Sequence, residues 1–184
     1  MIKNLYLALV HSPVVNRNGK AIGSALTTID LHDIARASMT FGVKGFYVVT
    51  PFEDQQALTH KIIEHWTKGI GGVINPGRKD ALELIRVASS FEDACADIKQ
   101  ENKSPLVTIG TSAKEYGDSV SILEFKGQLN KENPHILAFG TAWGLSQGFI
   151  DNCDTILEPI KGKGDFNHLS VRSAVSIYLD RIFN

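Results

Sequence analysis

Six short apolar runs punctuate the chain: Leu5–Val10, Gly45–Thr50, Leu84–Ser89, Pro105–Gly110, His135–Gly140 and Thr155–Ile160. They are rich in Val, Ile, Leu and Phe and show little alternation of apolar with polar. Strands buried on both faces of a parallel sheet read this way. The segments between them carry a helical period. In Leu31, Ile34, Ala35, Ser38 and Met39, small and apolar positions recur at three and four residues, and Val171, Ala174, Val175, Tyr178 and Ile182 repeat the pattern near the carboxyl end. Phe91 to Gln100 and the Ile62, Ile63, Trp66 region read as further helices. Strand alternating with helix predicts an α/β fold, a mostly parallel six-stranded sheet with helices on both faces. Two stretches, His11–Thr27 and Thr67–Lys79, read as long loops. Loops of that length in a compact domain are usually functional or mobile.

The length, 184 residues, suits one domain, read as residues 1–184. With 43% hydrophobic and 21% charged residues, the composition is that of a globular protein with material for a core. No apolar run is long enough to cross a bilayer. Lys3 followed by Leu5–Val10 is too short for a signal peptide, so this stretch is expected to be the first buried strand and the protein cytoplasmic. Cys95 and Cys153 stand in no metal-binding spacing and are expected to be free thiols. A net charge of -1 argues against a surface coated for nucleic acid; binding of RNA would need a local patch or a groove.

Some motifs fail on inspection. Gly72 to Lys79 has phosphate-loop glycines but lacks the Lys-Ser/Thr ending and a preceding strand. His60 and His65 are five apart, not the three or four that place two metal ligands on one helix face, and no metal site is expected. The segment His11-Ser-Pro-Val-Val after the first strand has no dinucleotide fingerprint.

Three segments, in order, resemble the three motifs of the SPOUT class of S-adenosylmethionine-dependent methyltransferases. The first is Asp30-Leu-His-Asp33-Ile-Ala-Arg36 with Gly42 six residues on, where Asp30 and Asp33 replace asparagines common in the ribose-methylating branch. The second is His135-Ile-Leu-Ala-Phe139-Gly140-Thr141-Ala-Trp143-Gly144-Leu145. The third is Ile156-Leu157-Glu158-Pro159-Ile160, followed by Phe166-Asn-His168-Leu169-Ser170-Val-Arg172-Ser-Ala. With the Leu106–Gly110 strand, the likeness spans nearly the whole chain. The wording of the second and third segments resembles bacterial RNA methyltransferases related to the tRNA guanine-N1 branch.

The resemblance implies a carboxyl-terminal trefoil knot that periodicity and composition do not show. It implies a bent S-adenosylmethionine held mainly by backbone groups, here of Thr108, Ile109 and Gly110, of Phe139, Gly140, Thr141 and Gly144, and of Leu157, Glu158, Pro159, Ile160, His168, Leu169 and Ser170. It also implies a homodimer acting on tRNA or rRNA, with no membrane or DNA partner.

Gly140 and Gly144 suit close backbone approach but equally a plain turn after a strand. Leu157 and Ile160 suit core packing as well as cofactor contact. Arg36, with Asp33 three residues earlier, is the candidate catalytic pair; the two are base and orienter, or an exposed ion pair. Ser170 either caps the last helix or serves the site. Glu158 orients substrate or pairs with Lys161. Arg172 reaches RNA, a partner subunit or solvent, and Arg17 and Lys20 are candidate phosphate contacts. Two other functions fit the same fold: a protein that holds cofactor or RNA without transferring methyl, and a methyltransferase of a substrate other than RNA.

Overall fold

The computed structural model describes residues 4–129, 133–164 and 166–184; Lys3 lies outside them. The chain opens with β1 (Leu5–Val10), then a short antiparallel hairpin, β2 (Val14–Val15) and β3 (Ala21–Ile22), and α1 (Thr28–Phe41). β4 (Gly45–Val49) is followed by α2 (Glu53–Thr67), α3 (Ile70–Ile74) and α4 (Pro76–Leu82), then by β5 (Ile85–Ala88) and α5 (Phe91–Asn102). The second half runs β6 (Val107–Gly110), α6 (Ile122–Gln128), β7 (His135–Gly140), α7 (Gln147–Asp151), β8 (Thr155–Ile156) and α8 (Val171–Phe183).

The six apolar runs all become strands of one parallel sheet, ordered β5-β4-β1-β7-β6-β8. Both stretches read as loops carry structure. His11–Thr27 contains the hairpin, and Thr67–Lys79 contains α3 and the start of α4. Neither was visible as periodicity because the hairpin strands have two residues each and α3 has five.

Period-two alternation in β1 divides the core. Leu5, Leu7 and Leu9 face one layer with Leu31 and Ile34 of α1 and Leu179 of α8, while Tyr6, Ala8 and Val10 face Ala94 and Ile98 of α5. α1 starts where the Thr27 side chain accepts the Asp30 N–H, and it ends at Gly42, whose φ of 70° is the left-handed stop that glycine takes without strain.

The carboxyl-terminal chain runs an unusual course. The Leu157 N–H donates to the Gly110 carbonyl at 3.0 Å, the Val120 N–H to the Ile156 carbonyl at 2.8 Å, and the Glu158 N–H to the Val120 carbonyl at 2.9 Å. Residues 156–158 therefore lie between the end of β6 and Val120, and the segment joining Gly110 to Val120 passes from one side of them to the other. The Tyr178 hydroxyl donates to the Glu158 carbonyl at 2.8 Å and holds α8 against this stretch.

Candidate functional site

Parallel sheets place ligands beyond the carboxyl ends of their strands, where the strand order reverses. β1 and β7 are neighbours that precede different directions of travel across this sheet, and a cavity of about 870 Å³ opens beyond their ends. Its walls come from the start of α1, the loop after β6, the turn after β7 and the stretch leading into α8. Phe139, Ile160, Leu169, Val171 and Tyr178 supply apolar surface. Hydroxyls of Ser24, Thr27, Thr111, Thr141 and Ser170, with Asn167, supply polar groups.

The turn after β7 is built from the glycines the sequence singled out. A Cβ on Gly140 would stand 2.4 Å from the Leu145 nitrogen and 2.7 Å from the Gly144 carbonyl carbon, so only glycine lets the turn fold back on itself. Gly144 takes φ of 104°, and Ala142, a residue with a Cβ, is held at 52°.

Beneath this turn lies a chain of hydrogen bonds. The Thr141 hydroxyl donates to the Val10 carbonyl at 3.1 Å, the Ser24 and Thr141 hydroxyls are 2.5 Å apart, and Ser24 Oγ is 3.0 Å from His11 Nδ1. If Ser24 donates to Thr141, its oxygen accepts from His11 Nδ1–H, which leaves Nε2 an acceptor. That nitrogen is buried and has no hydrogen-bond partner. Burial pushes the imidazole down to about 4, with Asp30 opposing, so His11 is neutral at neutral pH.

Asp30 is the carboxylate of the cavity. It is buried, its Oδ2 accepts from the Thr27 hydroxyl at 2.5 Å, and its Oδ1 accepts from Arg172 Nη1 at 3.1 Å. Arg172 also approaches Asp33, with Nε 3.6 Å from Oδ2. Asp33 and Arg36 line a neighbouring groove of about 520 Å³ between α1 and α8, and Arg172 lines both spaces. The ion partner of Asp33 is thus Arg172, and Arg36 enters no ion pair among the described residues.

The structure brings together Phe139, Gly140, Thr141, Gly144, Ile160, His168, Leu169 and Ser170 around the larger cavity. Thr108, Ile109, Gly110, Leu157, Glu158 and Pro159 are not among its lining residues. Ile109 and Leu157 are fully buried in the core, and Thr108 binds Asp154 through its backbone N–H and its hydroxyl, both at 2.8 Å. Glu158 accepts the Ile122 N–H at 3.0 Å, while Lys161 pairs with Glu115 at 2.6 Å. Ser170 caps α8 by accepting the Ser173 N–H and also lines the cavity, so its two readings coexist.

Sequence reasoning quoted Asp30 without giving it a role, and passed over Ser24, Thr27 and Lys114. The capping pattern Thr27-x-x-Asp30 was the available signal for an ordered carboxylate at the start of α1. Burial raises both thiols, Cys153 to about 11 and Cys95 to about 12, so neither is a ready nucleophile. No cluster of metal-ligating side chains occurs among the described residues.

Comparison with known proteins gives this arrangement a context. The model of a family described as SAM-dependent RNA methyltransferase matches residues 4–184. A tRNA (guanine-N(1)-)-methyltransferase of Oleidesulfovibrio alaskensis is 45% identical over 180 residues, covering 98% of this chain and 42% of that protein. A protein of Aquifex aeolicus is 36% identical over 183 residues, covering 99% of this chain and 89% of its own length. The chain spans about 42% of the length of the two relatives named tRNA (guanine-N(1)-)-methyltransferase. Among solved structures, the SpoU methyltransferase AviRb from Streptomyces viridochromogenes superposes with a TM-score of 0.61 at 18% identity, covering 98% of this chain and 59% of that one; the likeness is one of fold.

Proposed function

The chain belongs to the SAM-dependent RNA methyltransferase family, and from that premise we propose that it binds S-adenosylmethionine in the cavity beyond β1 and β7 and methylates RNA. The observation that carries this reading is the convergence of Gly140, Gly144, Ile160, Leu169 and Ser170, drawn from separate parts of the chain, around one 870 Å³ space that also contains a buried carboxylate.

The lining fits the cofactor's chemistry. Drug-sized ligands occupy cavities of roughly 300–1,000 Å³ with apolar walls and a few placed polar groups. Phe139, Ile160, Leu169 and Tyr178 offer apolar faces to a purine, and the Ser24, Thr111, Thr141 and Asn167 side chains offer partners to its edge, to a ribose and to an amino-acid group. When bound, S-adenosylmethionine supplies an electrophilic methyl group on a sulfonium sulfur. The protein's own work is then orientation, exclusion of water and, where the acceptor atom carries a proton, removal of that proton.

Asp30 is the group placed to take that proton. Thr27 and Arg172 fix its orientation, as a base held by a third group requires. Arg36, in the adjoining groove, is placed for a phosphate or the acceptor of an RNA strand entering alongside α1. Asp33 orients Arg172 from the far side.

The passage of residues 156–158 between Gly110 and Val120 supports a threaded carboxyl terminus, the trefoil knot of the SPOUT class, with Ile160 and then Asn167, His168, Leu169 and Ser170 lining the cavity. The exposed Ile29 and Leu169 near the cavity support a homodimer that closes over it. Guanine N1 is not carried over as the target atom, because that name attaches to proteins of more than twice this chain's length.

The test is incubation with methyl-labelled S-adenosylmethionine and total RNA from a strain lacking the gene. Label in RNA is expected, with the modified nucleoside identified after digestion. Cofactor binding without label in any RNA fraction would leave only a binding role.

A further inference from the structure

Trp143 sits at the cavity mouth with 59% of its surface exposed. The exposure is imposed by the backbone. Ala142 at φ 52° and Gly144 at φ 104° flank it, and its own N–H donates to the Val15 carbonyl at 3.1 Å while the Val15 N–H donates to the Gly144 carbonyl at 2.9 Å. Val14 bridges to Leu145 in antiparallel fashion. The turn carrying Trp143 is therefore tied to β2 of the hairpin by an antiparallel bridge.

The tip of that hairpin is as firmly built. Asn16 Oδ1 accepts the N–H groups of Asn18 at 2.9 Å and Lys20 at 3.0 Å, and Gly19 takes φ of 75°. Arg17 and Lys20 stand exposed on it and enter no ion pair among the described residues. Residues 11–29 and 135–150 contain no aspartate or glutamate. In a chain of net charge -1, this is a local cationic surface joined by hydrogen bonds to a fixed, exposed indole. Lys114, also exposed, adds a further cation on the cavity wall.

A rigid aromatic face with adjacent unpaired cations is how proteins hold unstacked nucleotides: the ring stacks a base and the cations take phosphates. We propose that Trp143, Arg17 and Lys20 form a binding surface for single-stranded RNA, with Trp143 stacking an unpaired base at the cavity mouth and the hairpin tip holding the flanking backbone. Identifying the strand as RNA rests on the proposed function; the surface itself rests on the geometry above. Trp143 lines the cavity yet is 59% exposed, so much of its ring is open to a ligand arriving from solvent.

The experiment uses the intact chain. The protein contains two tryptophans, so Trp66→Phe leaves Trp143 as the single indole. Its fluorescence is titrated with unfractionated tRNA and, separately, with S-adenosylmethionine. Saturable quenching by tRNA is expected. Trp143→Ala should weaken tRNA binding about ten-fold or more, as loss of one stacked base implies, and Trp143→Phe should restore most of it. The Arg17→Ala/Lys20→Ala double variant should make the dependence of affinity on salt shallower by roughly 1.4 in the log–log slope, two phosphate contacts on a single strand. Calorimetric affinity for S-adenosylmethionine should be unchanged in the Arg17→Ala/Lys20→Ala double variant, whose positions lie outside the cavity lining. Wild-type tRNA affinity in Trp143→Ala, or quenching by S-adenosylmethionine and not by tRNA, overturns the proposal. Failure of the wild-type chain to bind S-adenosylmethionine while tRNA still quenches would instead overturn the cofactor reading and leave the RNA surface standing.

Discussion

Arg172 reaches across 142 positions of sequence to hold Asp30, its Nη1 3.1 Å from the buried Oδ1. The pair ties the first turn of α8 to the first turn of α1 at the edge of the cavity. It is both a structural staple between the two helices and the means of fixing the orientation of a buried carboxylate. Asp30→Asn retains the shape and a partner for Thr27 but cannot accept a proton. Methyl transfer is expected to fall at least about 10²-fold with little change in S-adenosylmethionine affinity. Arg172→Ala strands the carboxylate, and since the arginine is itself a third exposed, the cost in urea unfolding is expected to be about 1–2 kcal/mol.

Arg36 lines the neighbouring groove and not the larger cavity. Arg36→Ala is expected to abolish transfer to RNA while S-adenosylmethionine binding, followed by calorimetry, stays near wild type. Unchanged transfer would remove Arg36 from the mechanism.

His11 makes stability depend on pH. Its folded-state value of about 4 lies below the ordinary histidine value of about 6.5. Above that upper value both states are neutral and there is no effect. As pH falls from about 6.5 to 4, the unfolded chain takes up a proton that the folded chain refuses, and stability drops by roughly 3 kcal/mol across the window. His32 and His135 are also lowered by burial and act in the same direction. Urea unfolding of His11→Asn should show a shallower fall between pH 7.5 and 5 than the wild type.

Two substitutions separate turn geometry from core packing. Gly140→Ala forces a Cβ to within 2.4 Å of the Leu145 nitrogen, so the turn must open, with S-adenosylmethionine affinity falling before global stability does. Leu157→Ala removes a fully buried side chain from the layer shared with α8 and is expected to cost about 2–5 kcal/mol by denaturant unfolding.

The contrast between those two positions marks what can be read from sequence here. Gly140 and Leu169, which line the cavity, were legible as candidates because each stands in a motif whose order along the chain matches a family. The six strands were legible because continuous burial leaves continuous apolar runs. Leu157 and Ile109, buried and outside the cavity lining, were not separable from lining residues, since an apolar residue in a buried strand reads the same whether its neighbour is a ligand or a helix. Asp30 and Asp33 look alike in sequence, yet only Asp30 lines the larger cavity, because it occupies the first turn of α1 at the mouth and Asp33 the next turn, facing α8. The hairpin at Val14 to Ile22 escaped notice because its strands are too short to show a period. Its hydrogen bonds to Trp143 and Gly144, which fix the indole, depend on contacts more than 120 residues apart.

The most direct measurement is calorimetric titration of the intact chain with S-adenosylmethionine. One equivalent per chain is expected to bind saturably, with S-adenosylhomocysteine competing and Gly140→Ala weakening both. A folded chain that takes up neither compound would contradict the assignment of the cavity beyond β1 and β7.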